Sequence, residues 1–311
     1  MPTNRTTMTA WITAARPVAH GMIALPLLWG QALAWVTTQQ FNWLWFLIIQ
    51  LFGAGCQIYC LYLNDYADEA TDRLNRSYWL SGGSRVIPND QLSGRQLYRA
   101  SFVVLAGLLA LSGLAYQLER SAMPALTLLA VGLGWSYSLP PLQSSYRGYG
   151  EFHQAISCGV VLPVIAFYLQ SGSLAAFPWL LLFPVALLFF AGNIVTSLPD
   201  LVSDKRSNKR SYPVRHGYER AHKDAVALLF IAYTLGFVVN QPWASYWLSN
   251  LTIFGPALLL LVNAQRIVLT EPEPVKTNPH LKRFILLLSL SQAWVMALWT
   301  GWLYWYGIAQ P

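Results

Sequence analysis

Four acids crowd the stretch LYLNDYADEATDRLN, residues 61–75: Asp65, Asp68, Glu69 and Asp72. The whole 311-residue chain holds only 13 acids, and this stretch directly follows WLWFLIIQLFGAGCQIYC, one of its most apolar runs. On a helix, positions i, i+3 and i+7 fall within about 60° of one another, so Asp65, Asp68 and Asp72 share one face. A second group, PDLVSDKRSNKR, sets Asp200 and Asp204 at i and i+4, again on one face. Carboxylates grouped in this way repel one another and are costly to desolvate alone. For either group by itself, a solvated helix end with ordinary acids is the plain alternative. Two groups at corresponding places in the chain point further, because a divalent cation would relieve both. Oxygen donors alone suit Mg²⁺, which binds through one or two carboxylates plus substrate phosphates. No His or Cys accompanies either group, which argues against zinc.

Lys205, Arg206, Lys209, Arg210 and Arg215 follow the second group closely. Metal-bridging acids beside a basic run make a site for a polyanion, most simply a diphosphate. The other end of that ligand is expected to be lipid-like, since both groups cap apolar helices. A prenyl diphosphate satisfies both halves of the description. Its ionisation leaves an allylic cation, which aromatic side chains shield and stabilise, while metal and basic residues hold the departing diphosphate.

The elements that must position these groups are membrane helices. The chain is 55% hydrophobic and 11% charged, against about 25% charged in soluble domains. Several apolar runs reach the roughly 20 residues needed to cross a bilayer. Nine spans are expected, near 17–36, 43–63, 97–116, 122–139, 153–170, 178–197, 224–241, 246–264 and 284–306. Trp and Tyr clusters such as FNWLWF, WASYWL and WTGWLYWYG fall at run ends, as an interfacial belt requires. Pro26, Pro163, Pro184 and Pro256 lie inside spans, which membrane helices tolerate. The apolar run behind Arg5 and Arg16 is longer than a signal peptide's core and reads as an uncleaved first helix.

With the N-terminus in the cytoplasm, the N-terminal segment and the loops after spans 2, 4, 6 and 8 hold 19 of the 20 Lys and Arg; Arg120 is the exception. This is the positive-inside bias. It accounts for the net charge of +7 without any nucleic-acid partner, and no module for binding one is legible. Both acidic groups then sit on the cytoplasmic side, four spans apart, as in two four-helix halves of one architecture. The fold expected is an all-α polytopic bundle of nine helices around a central apolar cavity, a single domain over 1–311 with motif loops at 64–96 and 198–223. Membrane lipid surrounds it, and a bacterial inner membrane is the default location.

Over nearly its whole length the chain resembles the UbiA superfamily of intramembrane prenyltransferases. Asn64-Asp65-Tyr-Ala-Asp68-Glu-Ala-Thr-Asp72 reproduces that family's NDxxDxxxD, and Asp200-Leu-Val-Ser-Asp204 its DxxxD. ARP at 15–17 and SGGSRVIPNDQLS at 81–93 are lesser matches. WSYSLPPLQSSYRGYGE resembles the stretch after the fourth span in the 1,4-dihydroxy-2-naphthoate polyprenyltransferase branch of menaquinone synthesis. SNKRSYPVRHG resembles that branch's GKRTLAVRLG, with Asn208 in place of Gly, Tyr212-Pro213 in place of Leu-Ala, and His216 near the end. Pro199 before Asp200 is a further departure.

The resemblance implies Mg²⁺-dependent transfer of a prenyl chain from a polyprenyl diphosphate to an aromatic acceptor in quinone-type lipid synthesis. It implies Asp65, Asp68 and Asp72 at one Mg²⁺-diphosphate contact and Asp200 and Asp204 at another, two ions in all, with Asn64 orienting or ligating at the first. Arg16, Arg147, Lys205 and Lys209 are candidates to grip the diphosphate, each with an alternative as an orienting or headgroup-binding charge. Tyr137 and Tyr146 are candidates to face the allylic cation, or belong to the aromatic belt. Glu151 is a candidate to polarise an acceptor and equally a helix-start acid. His20 and His153 read first as histidines satisfied by neighbouring carbonyls, and Cys56, Cys60 and Cys158 as small buried residues.

Other classes stay open. A relative that cyclises its own prenyl chain needs no acceptor, and a non-catalytic relative would bind or move a prenylated lipid. A transporter would want acids in mid-span, and no expected span has one. A CDP-alcohol phosphotransferase would want D-x-x-D-G-x-x-A-R, and Glu69 stands where its Gly belongs.

Overall fold

Long apolar runs leave the backbone no partner in lipid except itself, so they fold as helices. A computed structural model describes residues 4–74, 83–240, 247–267 and 278–309, and among these no strand occurs. An N-terminal helix α1 (Asn4–Ala15) and a 3₁₀ turn (Pro17–Ala19) lead into the first span, α2 (His20–Thr38). The next spans are α3 (Trp43–Ala67), α5 (Gly94–Gln117) and α6 (Met123–Ser138). The fifth combines α8 (Gly150–Ile156) and α9 (Leu162–Ser171), and α10 (Leu182–Ser197) follows. Beyond them lie α13 (Tyr218–Val239), α14 (Trp247–Gln265) and α15 (Pro279–Ala309). Four short helices gather at one end of the bundle: α4 (Glu69–Leu74), α7 (Ser144–Arg147), α11 (Leu201–Arg206) and α12 (Tyr212–His216). Of the expected motif loops, residues 75–82 lie outside the described residues.

Among the described residues, eight helical segments are long and apolar enough to cross a membrane. The ninth expected span is the short one. Helix α6 has 16 residues and rises about 24 Å, against a hydrocarbon core of about 30 Å. Its expected extent of 122–139 is trimmed because Leu139 precedes Pro140, which pushes it into extended geometry and ends the helix.

Consecutive spans are neighbours, and α15 returns to pack on α2, so the bundle closes on itself. Span five also meets span one, where Gly30 lets the backbones approach: a Cβ there would lie 2.4 Å from the Pro163 carbonyl oxygen. Pro163 has no N–H to return to the preceding turn, and the helix absorbs this as a π turn over Ser157–Val161. At the core, Asn240, Asn250 and Trp299 join α13, α14 and α15: Asn240 Nδ2 donates to Asn250 Oδ1 at 2.7 Å, and Trp299 Nε1 to Asn240 Oδ1 at 2.8 Å. Leu47, Leu51, Val103, Leu128, Phe183, Phe230, Leu259 and Leu290 are exposed on the bundle surface, as lipid-facing residues should be. Arg120, the lone basic residue of its side, donates to the Leu169 carbonyl at 2.8 Å and lies 4.5 Å over the Trp45 ring.

Candidate active site

The first acidic group forms where α3 ends. Asp68 is its C-cap, and the chain turns there into α4, so Asp65 and Asp68 stay on the last turn while Asp72 follows one turn on. All three are buried, at 2%, 6% and 5% exposure, which decides against freely solvated acids. Asn64 Nδ2 donates to Asp68 Oδ2 at 2.9 Å. Arg16 reaches across from the break between α1 and α2, where it holds a left-handed conformation (φ 47°), and pairs with Asp65. The other Asp65 oxygen accepts from Ser84 Oγ. Arg85 donates to the Asp72 carbonyl, and Gly83 packs where a Cβ would meet the Asp72 carboxylate at 1.9 Å. Burial, with Asp68 and Asp65 nearby, pushes the Asp72 carboxyl from 3.8 up to about 8.

The second group follows α10. A 3₁₀ turn (Leu198–Asp200) joins it to α11, leaving Asp200 half-buried and Asp204 buried. The departures noted in the sequence each find a local place. Pro199 sits in the first turn of the 3₁₀ helix, where its missing N–H costs nothing. Asn208 takes φ 57°, a left-handed position that Gly fills best and Asn next. Pro213 opens α12, and the His216 ring lies 4.3 Å from that of Tyr212. Behind Asn208 comes Lys209, whose Nζ donates to Asp68 Oδ2 at 2.8 Å and so ties the second loop to the first group. Burial alone would lower the Lys209 ammonium, but Asp68 and Asp204 outweigh it and hold its pKa well above the ordinary range.

Both groups open into one cleft of about 170 Å³, lined by Arg16, Asn64, Asp68, Asp72, Asp200, Asp204 and Lys209 together with Tyr137 and Glu151. Tyr146 stands beside it: its hydroxyl hydrogen-bonds Thr71 Oγ1 at 3.0 Å, and its ring centre lies 5.2 Å from Lys209 Nζ. Burial first, and the Asp68 charge second, raise the Tyr146 hydroxyl, so it is a neutral phenol. Three further sequence candidates do not line the cleft: Asp65 is buried in its pairs with Arg16 and Ser84, and two basic residues lie outside. Arg147 and Lys205 are exposed and do not line the cleft. His20 Nε2 contacts the Ala15 carbonyl at 3.1 Å, and His153 Nδ1 pairs with Ser144 Oγ at 3.0 Å. The three cysteines are free thiols.

Sequence reasoning missed Ser84, Thr71 and the polar face of α10. Asn193, Thr196 and Ser197 line the cleft one and two turns ahead of Asp200. The signal was present, since three polar residues break an otherwise apolar span at helical spacing from Asp200. Glu151, by sequence an acceptor contact or a helix-start acid, is neither alone: its Oε1 accepts from the Tyr212 N–H at 2.9 Å and its Oε2 from Arg215 at 2.8 Å.

Among the described residues no three carboxylates converge into a ready metal cage. Arg16 and Ser84 engage both Asp65 oxygens, and Lys209 engages Asp68 Oδ2. Asp68 Oδ1 is buried and without a hydrogen-bond partner. Carboxylate oxygens as the metal-ligating groups, one of them buried and open, fit Mg²⁺, whose remaining ligands are commonly phosphate and water. The arrangement can hold a metal-bound diphosphate between two carboxylate groups and a lysine.

A profile of the UbiA prenyltransferase family matches residues 23–278. The chain is 27% identical to 1,4-dihydroxy-2-naphthoate octaprenyltransferase of Escherichia coli over 89% of its own length and 90% of that protein. It is also 27% identical to the protein of the same name from Bacillus subtilis, over 48% of this chain; that alignment spans 43% of the relative, less than half its length. A solved structure of a UbiA homolog from Archaeoglobus fulgidus, bound to DMAPP and Mg²⁺, matches with a TM-score of 0.67 and 19% identity, covering 93% of this chain and 98% of that one.

Proposed function

The chain belongs to the UbiA prenyltransferase family, and from that premise we propose that it transfers a polyprenyl chain from its diphosphate to a naphthoate-type aromatic acceptor. It is a membrane prenyltransferase acting on an aromatic quinone precursor. The acceptor class rests on the names of its relatives, 1,4-dihydroxy-2-naphthoate octaprenyltransferases, and the donor class on the DMAPP and Mg²⁺ held by a protein of the same fold. The observation that carries the reading is the single cleft in which both carboxylate groups and Lys209 meet.

In this reading Asp65, Asp68 and Asp72 on one side, and Asp200 and Asp204 on the other, would hold two Mg²⁺ ions. The metal supplies charge neutralisation for the departing diphosphate. Lys209, fixed on Asp68 and held fully charged, offers N–H donors to the same phosphate oxygens. Arg16, in the lining of the same cleft, joins it. Arg147 and Lys205, exposed beside the cleft, contribute attraction at a distance rather than a grip. As the allylic C–O bond breaks, Tyr137 and Tyr146 present neutral aromatic faces to the cation. The apolar interior of the bundle takes the prenyl tail and excludes water. The acceptor's ring carbon attacks the cation, a proton leaves the ring, and the lipid product remains in the bilayer. The cleft faces the cytoplasm, and the membrane is a bacterial inner membrane.

The test is diphosphate release by purified protein with geranylgeranyl diphosphate and Mg²⁺, against 1,4-dihydroxy-2-naphthoate, 4-hydroxybenzoate, homogentisate and no acceptor. Release that needs both Mg²⁺ and the naphthoate is expected. Release with no acceptor would replace the transferase by a cyclase or hydrolase.

A further inference from the structure

Two stretches from opposite halves of the chain, YRGYGE (146–151) and KRSYPVRHG (209–217), interlock beside the cleft. The Arg210 N–H donates to the Tyr146 carbonyl at 2.9 Å. Gly148 holds φ 88°, and a Cβ on it would stand 2.7 Å from Arg215 Cδ, so only glycine leaves room for that side chain. Glu151 completes the lock. Its carboxylate is 1% exposed, yet both oxygens are spoken for: Oε1 by the Tyr212 N–H at 2.9 Å and Oε2 by Arg215 Nη2 at 2.8 Å.

A buried carboxylate stripped of its partners is heavily penalised, so Glu151 admits one placement of residues 210–215 and disfavours the rest. Lys209 heads that segment. Its reach to Asp68, 2.8 Å across the cleft, therefore depends on where the segment is held. Each Glu151 oxygen accepts a hydrogen bond from the 209–217 stretch, so the carboxylate is tied to that stretch.

We propose that Glu151 is a positioning residue: by clamping Tyr212 and Arg215 it holds Lys209 against Asp68 and so sets affinity for the diphosphate end of the substrate. The YRGYGE stretch then serves the donor side of the reaction. This rests on the prenyl-diphosphate reading above.

The experiment uses the full chain in detergent, with calorimetric binding of inorganic diphosphate in the presence of Mg²⁺ and steady-state kinetics for both substrates. In Glu151→Gln, diphosphate binding should weaken and the donor KM rise by roughly tenfold, the usual scale for one charge-assisted hydrogen bond. The acceptor KM should move by less than about twofold. Arg215→Gln reports the same clamp from a side chain that is 23% exposed and better able to tolerate change. The double variant should be no worse than either single one, and Glu151→Gln should add little in a Lys209→Gln background. A change confined to the acceptor KM, or a full Glu151→Gln effect persisting without Lys209, would overturn the proposal. Wild-type protein that fails to bind diphosphate would overturn the functional reading and this inference with it; wild-type binding that Glu151→Gln leaves unaltered would overturn the positioning alone.

Discussion

Asp65 and Asp68 are each held by a basic partner, and the partner decides what a substitution does. Asp65 pairs with Arg16 and Ser84, so Asp65→Asn removes the charge and leaves the size. Asp200→Asn does the same at the second group. Both variants should lose about 10²–10³-fold in kcat, the scale for losing electrostatic stabilisation of a developing anion. Their circular dichroism should match wild type; normal turnover in either folded variant would remove the metal-diphosphate assignment. Asp72 has a pH consequence. Its carboxyl is raised from 3.8 to about 8 by burial and by Asp68 and Asp65. A raised folded-state pKa means the folded chain binds the extra proton, so the stabilisation is complete below about pH 4 and is lost as pH rises through about 8. The Tm of ligand-free protein should fall between about pH 5 and 8, and Asp72→Asn should flatten that slope. Mg²⁺ with inorganic diphosphate should bind more tightly as pH rises over the same window, because ligation takes the deprotonated acid.

At the scale of elements, the site is made by helix ends that stop in the right place. Helix α3 stops at Asp68, α10 gives way to a 3₁₀ turn at Leu198–Asp200, and short helices carry the acids and Lys209 over the mouth. Glycines mark the closest approaches. Gly148→Ala would force a Cβ into Arg215 and into a left-handed backbone, at a cost of about 1–3 kcal/mol. We expect the donor KM to rise and the Tm to fall. Gly132→Ala is the control, because nothing lies within 4 Å of a Cβ there and both quantities should hold. Equal behaviour of the two variants would show that the lock between residues 146–151 and 209–217 has no functional weight. The polar face of α10 belongs to this scale too, since Asn193 and Thr196 reach the cleft only because α10 continues unbroken toward Asp200.

For the whole molecule, the distribution of charge makes a testable statement about orientation. Starting from a cysteine-free background, a Cys placed at Lys205 should react with an impermeant maleimide in inside-out vesicles, and one at Gln117 in right-side-out vesicles. The reverse pattern would place the cleft on the outer side. The helical architecture was legible in the sequence because hydrophobic run length answers to one quantity, bilayer thickness. Among the described residues eight long apolar helices follow from it, and α6, ended by Pro140, is the short span at 16 residues. The acids were legible for a related reason: carboxylates at i, i+3 and i+7 beside an apolar helix violate solvation, and that violation is visible in one dimension. Partners were not. Lys209 meets Asp68 across 141 positions, Arg16 meets Asp65 across 49, and Glu151 meets Arg215 across 64. Span-end placement and motif match put Arg147 and Lys205 ahead of Lys209, yet the fold leaves both exposed. Sequence by itself determined the helices, the two carboxylate groups and the class of chemistry, because each depends on local pattern against a uniform solvent. Only the tertiary structure decided which base faces which acid, because that depends on how the ends of distant helices are brought together, a relation that local spacing does not encode.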